Sequence, residues 1–273
     1  MPRHGFRLRD GFVMKEFSKI NSFKREEMAL KILQPHPFIT ELTNSYTHSI
    51  NGKFLGILYL TYYKGCDLHT WIDNYPSGSP ILFVRYVFKK ILLAYDYAVK
   101  KSIFHRDIKP ENIMIDEFGM VKLIDWELCS FNRFSHKRVG TVQYMAEEVN
   151  KEDLHECMKA DIWSIGVVMF CLATGKRPYE SIMMDSGFFN DEWIKAIYDK
   201  RWRIFWKSHE KNKRFPTLPV GFKYCIERML KKEADDRCSI EEIMTDSFFL
   251  GDEMEQEEVV NLLQECVIFK PLF

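Results

Sequence analysis

Four polar side chains lie close together within Ser102–Trp126, and their types suit one kind of chemistry. Asp107, Lys109 and Asn112 follow one another at short spacings, and Asp125 comes after a predicted β-hairpin. An acid, a lysine, an amide and a second acid in this order can surround one bound nucleotide and support transfer of a phosphoryl group. The spacing therefore predicts a nucleotide-dependent phosphotransfer site.

The elements that must position these side chains begin with strands. Before Lys64 the sequence alternates between apolar and polar residues, which is typical of β-strands with one buried face. Asp10-Gly11 and Asn51-Gly52 are dipeptides that two-residue hairpin turns prefer. The predicted hairpin and the two further strands cover Gly5–Phe17, Phe38–Ser49 and Lys53–Tyr63.

Helices complete the arrangement. A helix over residues 22–33, capped by Asn21 or Ser22 and stopped by Pro35, is predicted between the first strands. After Asp67 helical periodicity dominates. The predicted helices there are Leu68–Tyr75, Ile81–Lys101, Asp161–Thr174, Asp191–Phe205, Phe222–Lys231 and Ile240–Asp246.

Length and composition indicate a globular protein. The 273 residues, 46% of them hydrophobic, suffice for one large domain or two small ones. Lys plus Arg equal Asp plus Glu at 39 each, so neither nucleic acid nor an anionic membrane is expected as the primary partner. Seven scattered cysteines favour reduced thiols and an intracellular location. The longest apolar run, Ile162–Ala173, is too short to span a bilayer.

The motifs resemble, in the same order, those of the eukaryotic-type Ser/Thr protein kinase superfamily. His105–Asn112 reads H-R-D-I-K-P-E-N, Gly140–Glu148 resembles the peptide-docking pattern G-T-x-x-Y-x-A-P-E, and Asp161–Gly166 fits D-x-W-S-x-G. The resemblance implies an α+β, bilobal kinase fold, in which a small antiparallel β-sheet with one helix precedes a mainly α-helical lobe. The implied N-lobe, C-lobe and C-terminal tail cover residues 1–63, 64–249 and 250–273.

ATP as the phosphate donor and Mg²⁺ as the metal follow from this resemblance. Asp107 would accept or orient the proton of the substrate hydroxyl, and Lys109 would neutralise charge on the transferred phosphate. Asn112 and Asp125 would hold Mg²⁺ through oxygen atoms. His105 would pack beneath the loop as a structural residue. The expected reaction is transfer of the ATP γ-phosphate to Ser or Thr of a protein.

A lysine and an acid of the N-lobe complete the implied catalytic set. Val13-Met14-Lys15 stands where the family has V-A-x-K, so Lys15 would hold the α- and β-phosphates. Glu26 would orient Lys15, with Glu27 as the second choice. Taken alone, Lys15 and Glu26 also fit two solvated charges, which is the less favoured of the two readings.

The nucleotide base is expected at the end of the last N-lobe strand. Leu60 would line the base pocket, and Thr61 to Tyr63 would offer backbone hydrogen bonds to adenine. Asp67 would face the ribose. On periodicity alone, this segment is an ordinary edge strand that runs into a helix.

Two departures from the family pattern affect the site. Gly5 is the only glycine before Lys15 that can belong to the phosphate-covering loop, so we expect the phosphates to be held less tightly or in another way. The family triplet D-F-G reads Asp125-Trp126-Glu127. Loss of the flexible glycine predicts a fixed conformation, and it places an additional acid near the metal.

Regulation and partners are predicted from three features. Lys137 stands near the usual position of an activating phosphothreonine, so Arg106 needs no phosphate partner and the loop is expected to form constitutively. Asp67 and Glu111 match positions that contact arginines in basophilic relatives, which favours Arg/Lys-rich protein substrates. The apolar side chains of helix 22–33 offer a surface for a homodimer.

Short sequence motifs and the composition suggest which subgroup of kinases the chain resembles. His36–Ile39 and the G-C-D-L segment resemble AGC-like kinases. Compactness, the divergent triplet at Asp125 and heavy use of Phe, Lys, Asn and Ile suggest a viral or protist gene, and a kinase of the baculovirus protein kinase 1 kind is one candidate. The apolar positions of the tail, which include Leu262 and Val267, predict an amphipathic helix packed on its own domain.

Two other functions fit the same fold. A pseudokinase would bind partners without transfer, and the retained Lys15, Asp107, Asn112 and Asp125 speak against it. A small-molecule phosphotransferase would share the lobes, and the peptide-docking pattern speaks against that reading.

Overall fold

The computed structural model describes residues 6–9, 11–180, 192–210 and 217–265. Gly5, Asp10 and Val267, which enter the sequence predictions, lie outside the described residues. The chain folds into two lobes, so the predicted α+β bilobal arrangement is confirmed. The N-lobe contains β1 (Phe6–Arg9), β2 (Phe12–Phe17), α1 (Ile20–Leu33), β3 (Leu42–Ile50) and β4 (Lys53–Thr61).

Four antiparallel strands form the N-lobe sheet in the order β1-β2-β4-β3. Asn51 and Gly52 have φ angles of 51° and 73°, the left-handed conformation of a two-residue hairpin turn, so the predicted turn between β3 and β4 is confirmed. Lys15 of β2 lies opposite Leu58 of the central strand β4. This register fixes the lysine in the middle of the sheet.

Helix α1 packs against the sheet through its apolar side chains. Phe23, Leu30 and Leu33 are buried in the N-lobe, whereas Met28 and Ile32 are exposed. Most of the apolar surface that was expected to serve a partner is therefore used within the lobe. A homodimer through residues 22–33 stays a prediction and would rest on the exposed side chains.

Two predicted N-lobe boundaries are wrong. Asn21 and Ser22 do not cap α1, because the helix begins before them and both lie in its first turn. Strand β3 begins at Leu42, later than predicted, because the preceding Ile39 forms a parallel bridge with Leu123. That bridge joins the two lobes, which the N-lobe pattern alone does not reveal.

The remaining elements form the C-lobe. Two short sheets, β5-β6-β7 and β8-β9, lie among helices. In chain order the elements are β5 (Gly65–Asp67), α2 (Leu68–Asn74), α3 (Ile81–Lys100), β6 (Ile113–Asp116), β7 (Val121–Leu123), β8 (Phe134–Ser135), α4 (Glu147–Asn150), β9 (His155–Glu156), α5 (Cys157–Thr174), α6 (Glu192–Tyr198), α7 (Trp202–Glu210), α8 (Val220–Met229), α9 (Ile240–Met244), α10 (Ser247–Leu250) and α11 (Gln256–Glu265).

Helix α5 forms the core of the C-lobe. Within the described residues it is the one helix with the length and composition of a membrane span, but 83% of it is buried inside the protein. Trp163 at its centre is fully buried and donates a hydrogen bond from Nε1 to the Tyr179 hydroxyl at 3.0 Å. This surrounded helix is a rigid base for the residues that it carries.

The helix predicted over Asp191–Phe205 is instead two helices, α6 and α7. Lys200, between them, has a left-handed φ of 57°. The N–H of Arg201 donates to the carbonyl of Ala196 at 2.8 Å, which closes the end of α6. Asp191 itself lies outside the described residues.

The tail helix α11 packs on the C-lobe, as predicted. Val259 and Leu263 are buried, and Leu262 packs against the same core. Gln256 Nε2 donates to the carbonyl of Phe118 at 2.8 Å, so α11 is attached to the turn between β6 and β7. The tail is thus part of the packed lobe up to the end of this helix.

Candidate active site

The loop between α3 and β6 is held from below by Asp161 of α5. Its carboxylate accepts hydrogen bonds from the backbone N–H groups of His105 and Arg106, both at 2.8 Å, and from the Tyr95 hydroxyl at 2.9 Å. Arg106 has a left-handed φ of 67°, and these bonds stabilise that conformation. Burial raises the pKa of Asp161 to about 7, while the three hydrogen bonds oppose that rise.

Three side chains meet above this loop and form one connected group. The Thr141 hydroxyl donates to Asp107 Oδ1 at 2.7 Å. Lys109 Nζ donates to Thr141 Oγ1 at 2.9 Å and forms an ion pair with Asp107 Oδ2 at 2.8 Å. A carboxylate held by a hydroxyl and an ammonium in this way can accept a proton beside a cation that neutralises a transferred phosphate.

Loss of the Thr141 hydroxyl should weaken this group. Because hydrogen bonds to charged groups contribute about 1.5–3 kcal/mol, we expect Thr141→Val to lower kcat for phosphate transfer by about 10- to 100-fold. Thr141→Ser keeps the hydroxyl and is the matched control, which should remain within a few-fold of the parent. Steady-state kinetics on a peptide substrate measures both variants. Equal rates for the two variants would contradict the role of the hydroxyl.

Lys15 of β2 contacts two acids from other segments of the chain, one in α1 and one after β7. Its Nζ lies 2.6 Å from Glu26 Oε2 and 2.7 Å from Asp125 Oδ1. Burial lowers the pKa of Lys15, but the charges of Glu26 and Asp125 outweigh burial and leave this pKa above its usual value. Burial raises the pKa of Glu26 to about 7, against the effect of the Lys15 ammonium. Glu27 lies outside this cluster and bonds to Lys31 and Ser45.

The segment after β7 carries the second acid. Asp125 has a left-handed φ of 63°, and Trp126 is fully buried with its ring centroid 4.6 Å from that of His105. Burial lowers the pKa of His105, and its Nε2 lies 3.0 Å from the carbonyl of Ile124, so the ring packs against the start of this segment. The carbonyl of Glu127 accepts a hydrogen bond from Arg25 at 3.0 Å. Sequence reasoning missed Arg25, because nothing along α1 signals this contact.

The donor set fits a nucleotide with Mg²⁺. Asn112 Nδ2 donates to the Asp107 carbonyl at 2.8 Å, and the backbone N–H of Ile124 donates to the Asn112 carbonyl at 2.9 Å. These bonds place Asn112 and Asp125 on neighbouring segments. Carboxylate and amide oxygens are the ligands that Mg²⁺ prefers. Asn112 and Asp125 would hold the metal, which would supply charge neutralisation at the phosphates.

The predicted base-binding segment joins β4 to β5. Leu60 is buried, but the N–H of Thr61 donates to the Glu41 carbonyl at 3.0 Å. The N–H of Thr61 is therefore not available to adenine. The predicted hydrogen bond from Thr61 to the base would have to use the Thr61 carbonyl. Tyr63 lies half-buried in the extended link between the strands. Asp67 accepts from the Thr70 N–H at 2.7 Å and caps α2, so its ribose contact stays a prediction.

A loop near Arg106 is held without a phosphate. An Arg106 guanidinium nitrogen donates to the Lys137 carbonyl at 3.3 Å, and the Lys137 N–H donates to the Ser135 hydroxyl at 3.0 Å. Strands β8 and β9 pair beside this contact. The chain thus forms an ordered loop here from its own backbone.

Below the loop, Arg237 and Glu148 form a bidentate ion pair. Two guanidinium nitrogens of Arg237 lie 2.6 and 3.0 Å from the two carboxylate oxygens of Glu148. Arg237 also donates to the carbonyls of Lys159, Lys231 and Lys232. The pair therefore joins α4, and with it the docking segment 140–148, to the segment between α8 and α9.

Comparison with known proteins matches this sequence to one family. The sequence model described as protein kinase domain matches residues 12–249. CBL-interacting serine/threonine-protein kinase 15 of Arabidopsis thaliana is 30% identical over 250 residues, which cover 89% of this chain and 53% of the relative. CBL-interacting serine/threonine-protein kinase 5 of the same plant is 29% identical over 238 residues, covering 85% and 48%. CBL-interacting protein kinase 33 of Oryza sativa subsp. japonica is 27% identical over 241 residues, covering 84% and 47%.

The chain spans about half the length of the curated relatives that it matches. The names of these relatives give no support to an AGC-like subgroup or to a viral source. Both stay predictions from short sequence motifs and composition. The family match includes the loop with Asp107, the docking segment 140–148 and the helix with Asp161. The chain therefore belongs to the protein kinase family, and it is a member of the Ser/Thr kinase superfamily.

Proposed function

We propose that this chain is a Ser/Thr protein kinase that uses ATP and Mg²⁺. The proposal rests above all on the connected group of Asp107, Lys109 and Thr141, which lies on the loop that also carries Asn112. The names of the relatives support the choice of Ser and Thr as acceptors. A peptide hydroxyl placed at this group would meet a base and a cation together.

Each residue has a separate task in this reaction. Mg²⁺, when bound, reduces the charge repulsion at the transferred phosphate. Lys15, oriented by Glu26, binds the α- and β-phosphates. Asp107 accepts the hydroxyl proton as the new bond to phosphorus forms, and Lys109 stabilises the negative charge of the transferred group. Thr141 is hydrogen-bonded to both the Asp107 carboxylate and the Lys109 ammonium, and it holds the two groups next to each other.

Basic protein substrates are part of the proposal. A cleft of about 510 Å³ lies beside Pro110 of the loop, and its lining includes two acids and two bases, Asp73, Glu180, Lys176 and Arg177. Glu111 follows Pro110 directly and adds a third acid. Asp67, in contrast, is nearly buried and caps α2, so it is a poor contact for a substrate arginine. The proposed preference therefore rests on Glu111, because Lys176 and Arg177 offset the two acids of the cleft.

The experiment is transfer of labelled γ-phosphate from ATP to an arginine-rich protein that contains Ser and Thr. We expect labelled Ser or Thr with Mg²⁺ present, no label with EDTA, and no label when alanine replaces the acceptors. An acidic substrate of equal length tests the charge preference. Nucleotide binding without transfer would favour the pseudokinase, and label in small alcohols or amines alone would favour a small-molecule phosphotransferase.

We also propose a constitutively formed loop and an intracellular location. The contact of Arg106 with the Lys137 carbonyl supports the first, because the arginine has a partner that needs no modification. The six free, buried cysteines among the described residues support the second, since reduced thiols are typical of intracellular proteins.

A further inference from the structure

Glu127 reaches into the lysine cluster from a position where the resembled family has glycine. Its Oε2 lies 3.4 Å from Lys15 Nζ. The backbone on both sides directs it there, because Trp126 is fully buried and Arg25 holds the Glu127 carbonyl. The Glu127 side chain is 36% exposed and lies nearer to solvent than Asp125.

The cluster contains more negative than positive charge. One ammonium, that of Lys15, faces the carboxylates of Glu26, Asp125 and Glu127. One oxygen of each acid lies within 4.8 Å of the others. Moreover, Oε1 of Glu26 is completely buried and has no hydrogen-bond partner among the described residues. A surplus of fixed negative charge around a lysine that must bind phosphates repels those phosphates until a cation offsets it.

We propose that Glu127 is a positioning residue that makes nucleotide binding depend on a divalent cation. Without the cation, Glu127 and Asp125 both hold Lys15 and oppose a polyphosphate. With the cation, these two carboxylates turn toward it, and Lys15 is released for the phosphates while Glu26 keeps it oriented. This inference rests on the proposed kinase function and assigns to Glu127 a role that glycine cannot have.

The test measures ADP binding to the full chain by titration calorimetry, once with EDTA and once with Mg²⁺. We expect the ratio of the two dissociation constants to fall about tenfold in Glu127→Gln, which corresponds to about 1.4 kcal/mol. The metal-free affinity should rise, because one repulsive charge is gone. Glutamine has nearly the same shape as glutamate, so the variant changes charge and little else.

Glu16→Gln is the matched control. Glu16 is the neighbour of Lys15 on β2 with a side chain that is 28% exposed, and it pairs with Arg7 instead of entering the cluster. Successive side chains of a strand point to opposite faces, so this variant should keep the parent ratio.

A second readout uses Mn²⁺ alone, followed by electron paramagnetic resonance. The parent and Glu16→Gln should bind Mn²⁺ about tenfold more tightly than Glu127→Gln. A parent ratio that is unchanged in Glu127→Gln, together with transfer by the parent, would overturn this inference and leave the kinase function intact. A parent that binds no nucleotide under either condition would overturn both.

Discussion

Replacement of Asp107 by asparagine is expected to lower kcat for phosphate transfer by about 100- to 10,000-fold, the range that general-base catalysis contributes. The amide keeps the size of the side chain and can still accept the bond from Thr141, but it cannot accept the hydroxyl proton. Rapid-quench kinetics with labelled ATP measures the effect.

The same variant separates chemistry from binding. Asp107 contacts Thr141 and Lys109, and it is not among the acids that surround Lys15. The affinity for ADP should therefore stay within about threefold of the parent, a difference under 1 kcal/mol. Asp199→Asn, an exposed aspartate paired with Arg201, is the control for removal of a charge. Retention of more than about a tenth of the parent rate would contradict the assignment.

The second large effect is expected on stability. Arg237→Ala should lower the free energy of unfolding by about 3–5 kcal/mol, because it leaves Glu148 without its partner in a largely buried place. The Arg237 side chain is completely buried, and its guanidinium lies 5.0 Å from the centroid of the Trp163 ring. The loss therefore includes packing as well as charge.

Urea unfolding followed by tryptophan fluorescence measures this loss. Arg201→Ala, which removes an exposed arginine from an ion pair with Asp199, is the matched control and should change stability by less than about 0.5 kcal/mol. Arg237→Lys should lie between the two, since lysine keeps the charge but cannot form the bidentate pair. A loss below about 1 kcal/mol in Arg237→Ala would show that the network contributes little.

Local patterns predicted the parts of the fold that are stabilised locally. The turn at Asn51-Gly52 follows from two adjacent residues that tolerate positive φ, and the strands on either side follow from their alternation. The grouping of Asp107, Lys109 and Asn112 also follows from spacing, because one short loop carries all three. For these features sequence neighbours are neighbours in space.

Two backbone contacts between distant segments have no signal in the sequence. The Glu41 carbonyl occupies the N–H of Thr61, and Arg25 binds the carbonyl of Glu127; both are backbone contacts without a side-chain motif. The break at Lys200 depends on a left-handed residue that has no sequence signature, since lysine is a good helix former. The sequence predicted Glu127 as an additional acid near the metal, but its contact with Lys15 is evident only from the fold.

The attachment of α11 changes where the folded unit ends. The family match stops at residue 249. Val259 lies beyond the match, yet its side chain is buried beside Gly119, which lies within it. On its other side, the N–H of Glu117 in the same turn donates a hydrogen bond to the carbonyl of Lys64 at 2.7 Å, and Lys64 directly follows the predicted base-binding segment. A boundary drawn at the end of the family match would therefore remove a helix that packs against the turn next to the predicted base-binding segment. The residues that match the family and the residues that pack as one unit therefore differ in extent.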